Sequence, residues 1–346
     1  MKYFFKKIIF FSFPIIIFLI IVNFTIDPAN LFSSVYEDKI VTALISGNNI
    51  TNIDNYDERK LQKNIIGKLH TCPQTVVLGS SRTMLINSNN CNSSSFFNSS
   101  VSGASIEDIL SIYEMYENKN FFPKKIILAI DPWLLNENCG QERWKSIASE
   151  YNDFLKSIGE ETEEISDDKY YQLISPSYFQ SAVKILVNGK KMPTVTKNRL
   201  NKYLTKLKDG SITYDAKYRN VGDKEILNKV DNFIEGKIYS IEGFNQLSSK
   251  HKLLLNELIK KMEDNNTEIV FFLTPYHPKA YEFIAKQVKY ANVFESEDYF
   301  KKIAKQKNIK VIGSYNPYNV DLNASDFYDG MHCNEKGINI LLSQNK

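Results

Sequence analysis

Near the C-terminus the chain reads Asp329-Gly330-Met331-His332, and far upstream the apolar run Val76-Val77-Leu78-Gly79 ends on Ser80-Ser81-Arg82. A carboxylate three residues before an imidazole supplies an orienter and a base, and a serine on a tight turn after a buried strand supplies a nucleophile. The chemistry this points to is covalent acyl transfer: Ser81 attacks an ester carbonyl, His332 takes the serine proton and Asp329 orients the imidazole. Both patterns are short and arise often by chance, so their context has to carry the assignment. Ser80 reads as a turn residue. Arg82 has two readings, a grip on an anionic sugar or phosphate and a salt bridge at a helix start. Tyr276-His277 reads equally as a substrate-contacting shelf and as ordinary loop. No Cys-x-x-Cys and no Cys/His pair at ligand spacing occurs, so neither a metal nor a cofactor is expected.

The elements that must position these residues alternate. Thr75 to Gly79, Phe96 to Val101, Lys125 to Asp131, Glu268 to Thr274 and Lys310 to Ser314 read as strands, the third and fourth as continuous apolar runs suited to a sheet covered on both faces. Helical patterns lie between them: Ser105 to Asn118, with Ser105 as N-cap and Asp108 completing an acidic capping box; Ile241 to Asn265; Pro278 to Tyr290; and Glu295 to Lys307. The fold class predicted is α/β, a three-layer α/β/α arrangement around a five-stranded parallel sheet. Ligands gather at the carboxyl edge of such sheets, and Ser81, Gly103, Asp131 to Trp133, Tyr276, His277, Asp329 and His332 all follow strand ends. From Cys139 to about Ser240 acidic clusters such as Glu160 to Glu164, lysines and tyrosines replace apolar runs. This region, about 140–240, reads as a mostly helical insertion whose tyrosines suit a lid.

Lys2, Lys6 and Lys7 precede an uncharged apolar stretch from Ile8 to Ile26, close to the ~20 residues a membrane-spanning helix needs. Basic residues before it, and none behind it until Lys39, orient the N-terminus to the cytoplasm. No small-x-small cleavage site follows, so a retained anchor is favoured over a cleaved signal. Three regions are therefore expected: a membrane anchor at 1–29, a membrane-proximal stalk at 30–71 and a catalytic domain at 72–346. The formal net charge of +3, from 43 Lys+Arg against 40 Asp+Glu, is nearly balanced and scattered, which gives nucleic-acid binding no support. Outside the cytoplasm the four cysteines permit disulfides, with Cys72–Cys91 and Cys139–Cys333 the favoured pairing; four buried thiols are the other reading.

These residues resemble the SGNH (GDSL-type) hydrolase superfamily, particularly its bacterial membrane-anchored, extracytoplasmic branch related to polysaccharide O-acetylation proteins and the D-alanine transfer protein of teichoic-acid synthesis. Gly79-Ser80-Ser81-Arg82 stands where the first block places Gly-Asp-Ser, so the nucleophile maps to Ser81. Asn98 to Ser105 looks like the second block, with its glycine at Gly103, and Asp329-Gly330-Met331-His332 looks like the last. The resemblance implies a flavodoxin-like fold and an oxyanion hole built from the Ser81 and Gly103 amides. It implies an esterase or O-acyl(acetyl)transferase acting on cell-surface or exported glycan, with a periplasmic or surface location and a membrane acyl-donor protein as partner. Arg82, Asp131, Trp133, Tyr276 and His277 are candidates for substrate contact. One departure stands out: the third block usually presents an Asn as oxyanion donor, and here Ile130-Asp131-Pro132-Trp133 offers a carboxylate, leaving Asn136 as a replacement donor or Asp131 as a structural residue. The alternative to an enzyme is a membrane-anchored carbohydrate-binding or assembly protein on the same fold.

Overall fold

In the computed structural model, which describes residues 2–164 and 168–344 without the side chains of 2, 4, 5, 8, 9 and 168, the chain starts with helix α1 (Lys2–Ile26). Then come α2 (Val35–Ile45), β1 (Asn49–Thr51) and α3 (Glu58–Lys68). The five runs expected as strands follow as β2 (Thr75–Leu78), β3 (Phe96–Asn98), β4 (Lys125–Ala129) and, after the intervening region, two more. That region holds α5 (Ala148–Ser157), α6 (Pro176–Asn188), β5 (Thr194–Thr196), β6 (Thr205–Lys206), β7 (Ile212–Thr213), α7 (Ala216–Arg219) and α8 (Asp223–Glu235). Between β3 and β4 lies α4 (Ile106–Glu117). The last elements are α9 (Ser249–Asp264), β8 (Glu268–Leu273), α10 (Pro278–Ala285), α11 (Ala291–Lys307), β9 (Lys310–Gly313) and α12 (Glu335–Ser343).

The main sheet is five-stranded and wholly parallel, in the order β3-β2-β4-β8-β9. Counted along the chain this is 2-1-3-4-5, a doubly wound order whose direction reverses between β2 and β4. Crevices open at that reversal, beyond the carboxyl ends of the strands. Alternate residues face opposite ways, so Val76, Leu78, Ile126, Leu128, Phe271 and Leu273 join one core with α4, α5, α9 and α11, while Val77, Ile127, Val270, Phe272 and Ile312 join a second with Ile338 and Leu341 of α12. Ser105 caps α4 through the full capping box with Asp108, as its sequence predicts.

Several expectations need correction. Residues 30–71 are not a stalk: α2, β1 and α3 bury Tyr36, Ile40, Val41, Leu44, Ile50, Leu61 and Ile65 in a third core. Arg59 of α3 makes a two-pronged ion pair with Asp108 of α4, Nε to Oδ1 at 2.8 Å and Nη2 to Oδ2 at 2.7 Å. The insertion is not only helix and loop, because β5 and β6 pair antiparallel with β1, and β7 with β6, in a second sheet ordered β5-β1-β6-β7. Residues 165–167 of it, and 345–346 of the C-terminal domain, lie outside the described residues. The helix expected from Ile241 begins at Ser249, where Ser248 caps it; the stretch before it takes the left-handed backbone at Ser240 and Gly243 that a helix cannot accommodate.

All four cysteines are free thiols. For the Cys139–Cys333 pairing the reason is the sheet. Cys139 packs on the core with α4 and Cys333 is buried in the core with α12, on opposite faces, so no bridge can join them. Cys91 likewise packs on the α12 side. Burial pushes the Cys91 and Cys333 thiols up to about 12.

Among the described residues no helix is long and apolar enough to cross a membrane. Phe10, Phe11, Phe13, Ile15, Phe18, Ile21 and Phe24 are exposed. The last turn of α1 docks on the insertion, with Asn23 Nδ2 donating to the Leu173 carbonyl at 2.9 Å.

Candidate active site

Ser81 opens a 3-10 turn directly beyond β2. The chain enters it through Gly79, where a Cβ would overlap that of Ala129 on β4; glycine therefore lets the two strand ends close up at the reversal point. Ser80 is buried and caps the turn by accepting from the Arg82 N–H at 3.2 Å. That hydroxyl is used internally, while Ser81 faces the cavity. Asn98 at the end of β3 fixes the turn from below, its Nδ2 donating to the carbonyls of Thr83 at 2.9 Å and Ile86 at 2.8 Å.

Asp329 and His332 ride on a loop closed by the Phe327–Cys333 bridge, with the Tyr328 N–H donating to the His332 carbonyl at 2.9 Å. Asp329 Oδ1 accepts from the N–H groups of Met331 and His332, each at 2.9 Å, which makes the loop a rigid Asx-type turn. His332 Nδ1 lies 2.9 Å from Asp329 Oδ2, and His332 Nε2 lies 2.9 Å from Ser81 Oγ. Residues 251 positions apart thus form a continuous Ser-His-Asp line. Tyr218 of α7 extends it by donating its hydroxyl to Asp329 Oδ2 at 2.5 Å. Burial alone would raise the Asp329 carboxyl, but the neighbouring His332 and the hydrogen bonds from His332, Tyr218 and Met331 hold it well below the usual carboxylate range. The Tyr218 phenol goes the other way, raised by burial and by the Asp329 charge.

The loop after β3 brings Gly103 to the same cavity, at φ +56°. Its neighbours are tied down: Glu58 accepts from the Ser102 N–H, the Ser102 carbonyl accepts from Arg59 Nη2 at 3.0 Å, and the Ala104 carbonyl accepts from Trp133 Nε1 at 2.9 Å. Gln141 Nε2 donates to the Gly103 carbonyl at 2.7 Å. Among the described residues nothing accepts from the Gly103 or Ser81 N–H, which leaves two amide donors beside the serine.

The cavity, about 450 Å³, is walled on one side by Ser81, Gly103, Asp329, Met331 and His332 and on the other by the insertion, through Arg143, Lys229, Asn232, Phe233 and Tyr239. Contact is tight. A Cβ on Gly330 would press into the Phe233 ring, so the Gly of Asp329-Gly330-Met331-His332 is needed for α8 to cover the loop. A larger polar groove of about 1100 Å³ runs alongside, sharing Ser102 and Arg143 with the cavity and extending to Ala29 and Leu31 beyond α1.

The five residues expected to touch substrate do not line this cavity; all are buried beneath it. Arg82 is their centre. Its Nη1 pairs with Asp131 Oδ1 at 2.9 Å, its Nε donates to the Met331 carbonyl at 3.0 Å, and its Nη2 donates to the carbonyls of Thr274 and Pro275. The guanidinium lies over the Tyr276 ring, 4.5 Å from the centroid. Trp133 holds the Gly103 loop, and His277 caps α10 by accepting from the Lys279 N–H at 3.2 Å, its imidazole depressed by burial. Asp131 is therefore a structural residue. Asn136 is not an oxyanion donor either, since its Nδ2 donates to the carbonyls of Ser240 at 2.9 Å and Glu242 at 3.3 Å. Among the described residues, no cluster of three or more His, Cys, Asp or Glu could hold a metal.

Compared with family models and with curated proteins, the chain matches none. What the geometry offers chemically is a nucleophilic oxygen hydrogen-bonded to an imidazole, a buried carboxylate behind that imidazole, and two amides beside the oxygen. That set suits formation and breakdown of an acyl-enzyme. The residues the sequence reading did not find, Tyr218, Arg143, Phe233 and Tyr239, all come from the insertion, and its richness in tyrosine was the one available sign.

Proposed function

We propose that the protein is a serine-dependent acyl-ester hydrolase or O-acyl(acetyl)transferase of the SGNH type, acting on cell-surface or exported glycan through an acyl-enzyme on Ser81. The observation that carries the reading is the 2.9 Å contact of Ser81 Oγ with His332 Nε2, continued at 2.9 Å from His332 Nδ1 to Asp329 Oδ2, at the reversal point of a 2-1-3-4-5 parallel sheet. In the cycle, Ser81 attacks the ester carbonyl as its proton passes to His332 Nε2, the amides of Ser81 and Gly103 hold the oxyanion, and the leaving alkoxide takes the proton back from His332. Water or a sugar hydroxyl, deprotonated in turn by His332, then releases the acyl group. The flavodoxin-like strand order supports the same family reading.

The exposed apolar side chains of α1 support a membrane anchor that leaves the catalytic domain outside the cytoplasm, since a helix apolar on all sides is at rest only in a protein core or a bilayer. The polar groove that begins beyond α1 and ends beside Ser102 is well placed for an acceptor chain, and an acyl-donor protein in the same membrane is the natural partner. A fluorophosphonate probe on the purified protein tests the reading. Labelling of wild type and not of Ser81→Ala is expected. No labelling of folded wild type would instead favour a membrane-anchored carbohydrate-binding or assembly protein.

A further inference from the structure

The serine chemistry just proposed has two backbone donors for its oxyanion, and Asn136, the one side chain that the sequence offered as a third, is committed elsewhere, as is Asp131 at the position where a donor was expected. We infer that the third oxyanion donor is the hydroxyl of Tyr239. Its ring stands edge-on to Trp133, centroids 5.7 Å apart, and its hydroxyl lies directly over the open side of Gly103, where a Cβ would overlap it. Tyr239 also lines the cavity that holds Ser81 and His332.

The hydrogen bonds around that hydroxyl fix the direction of its proton. Arg143 Nη2 and Gln141 Nε2 both donate to Tyr239 Oη, at 3.2 and 3.3 Å. A phenol oxygen has two acceptor positions and one proton, so with both positions filled the proton is left to give. Among the described residues nothing takes it. Arg143 and Gln141 are themselves linked, Nε to Oε1 at 3.0 Å, and Gln141 holds the Gly103 carbonyl, so one small network carries a backbone donor and a side-chain donor together. The Arg143 cation behind the phenol adds a positive potential where negative charge develops.

Asn136 then has a role of its own. It is a positioning residue, because it grips the carbonyl of Ser240, a left-handed residue at φ +59°, and so shapes the turn that presents Tyr239. When Ser81 Oγ attacks, its proton goes to His332 and the carbonyl π pair moves onto oxygen; Tyr239 O–H and the amides of Ser81 and Gly103 stabilise that oxygen until the leaving alkoxide departs with the proton.

The test is the rate of Ser81 phosphonylation by a fluorophosphonate, together with kcat and KM for 4-nitrophenyl acetate, in wild type, Tyr239→Phe and Asn136→Ala, with thermal melting as the check on folding. Tyr239→Phe keeps the ring and removes only the O–H. It should slow labelling and lower kcat by ~10²–10³ while KM moves by less than about threefold, since a donor used only in the transition state leaves ground-state binding alone. Asn136→Ala should lower kcat in the same sense. A Tyr239→Phe protein that melts like wild type and labels and turns over within about threefold of it overturns the inference. Wild type that never labels overturns instead the serine chemistry on which the inference rests.

Discussion

At the scale of single residues, position decides which of two adjacent serines is chemically available. Ser80 spends its hydroxyl capping the turn and Ser81 points at His332, a distinction that Gly79-Ser80-Ser81-Arg82 does not contain without the family alignment of Ser81. The Asp-x-x-His spacing was legible because its meaning is local: Asp329 closes a turn on the amide of the very histidine it orients. Arg82, Asp131 and His277, offered as possible substrate contacts, are buried instead, because charge in a sequence says nothing about burial: Arg82 and Asp131 satisfy each other across 49 positions, and His277 accepts from the Lys279 N–H beside it. The depressed Asp329 has a pH consequence. Its folded-state pKa lies below the unfolded value of about 3.9, so the stability it contributes is present above that value and is lost as pH falls below it towards the folded-state pKa. Denaturant unfolding of wild type and Asp329→Asn should therefore give a gap at pH 6 that narrows as the pH is lowered through 4 towards 3. A gap independent of pH would mean that the carboxylate charge is not what is stabilised.

At the scale of elements, the parallel sheet and the capped α4 could be read directly, because continuous apolar runs and a capping box are local signals. The second sheet could not. β5, β6 and β7 are two or three residues long, with threonine at four of their seven positions, and they are joined into a sheet by β1, far upstream, which pairs between β5 and β6. α3 was hidden for a related reason, since besides its buried Leu61 and Ile65 it is tied to α4 by the buried Arg59–Asp108 pair, which only the fold brings together. The same logic makes Arg82 the link between elements: it joins the turn after β2 to the ends of β4 and β8 and to the His332 loop. Arg82→Met removes that link and strands a buried Asp131, which should cost about 3–5 kcal/mol in urea unfolding, as breaking one half of a buried ion pair typically does. A loss near 1 kcal/mol or less, on the scale of an exposed pair, would show that the link is not structural.

At the scale of the whole molecule, the insertion closes over the sheet edge and also receives α1, Phe18 meeting Phe179 of α6, so one side of the cavity at Ser81 is lined by residues between 143 and 239 and the groove beside it opens towards α1. If α1 is an anchor, the full chain should partition into detergent or vesicles, while a chain starting at Asn23, which keeps the bond from Asn23 to Leu173, should stay in the aqueous phase and still label with a fluorophosphonate. An aqueous full chain would contradict the anchor and leave the catalytic account intact. The proposed chemistry requires an acyl group carried on Ser81. Mixing the protein with an activated acetyl ester, quenching in acid within a turnover and mapping peptides by mass spectrometry tests it directly. Acetylation is expected on the peptide that holds Ser81, lost in Ser81→Ala and in His332→Ala; folded wild type acetylated at Ser80, or at no serine, would rule out an acyl-enzyme on Ser81.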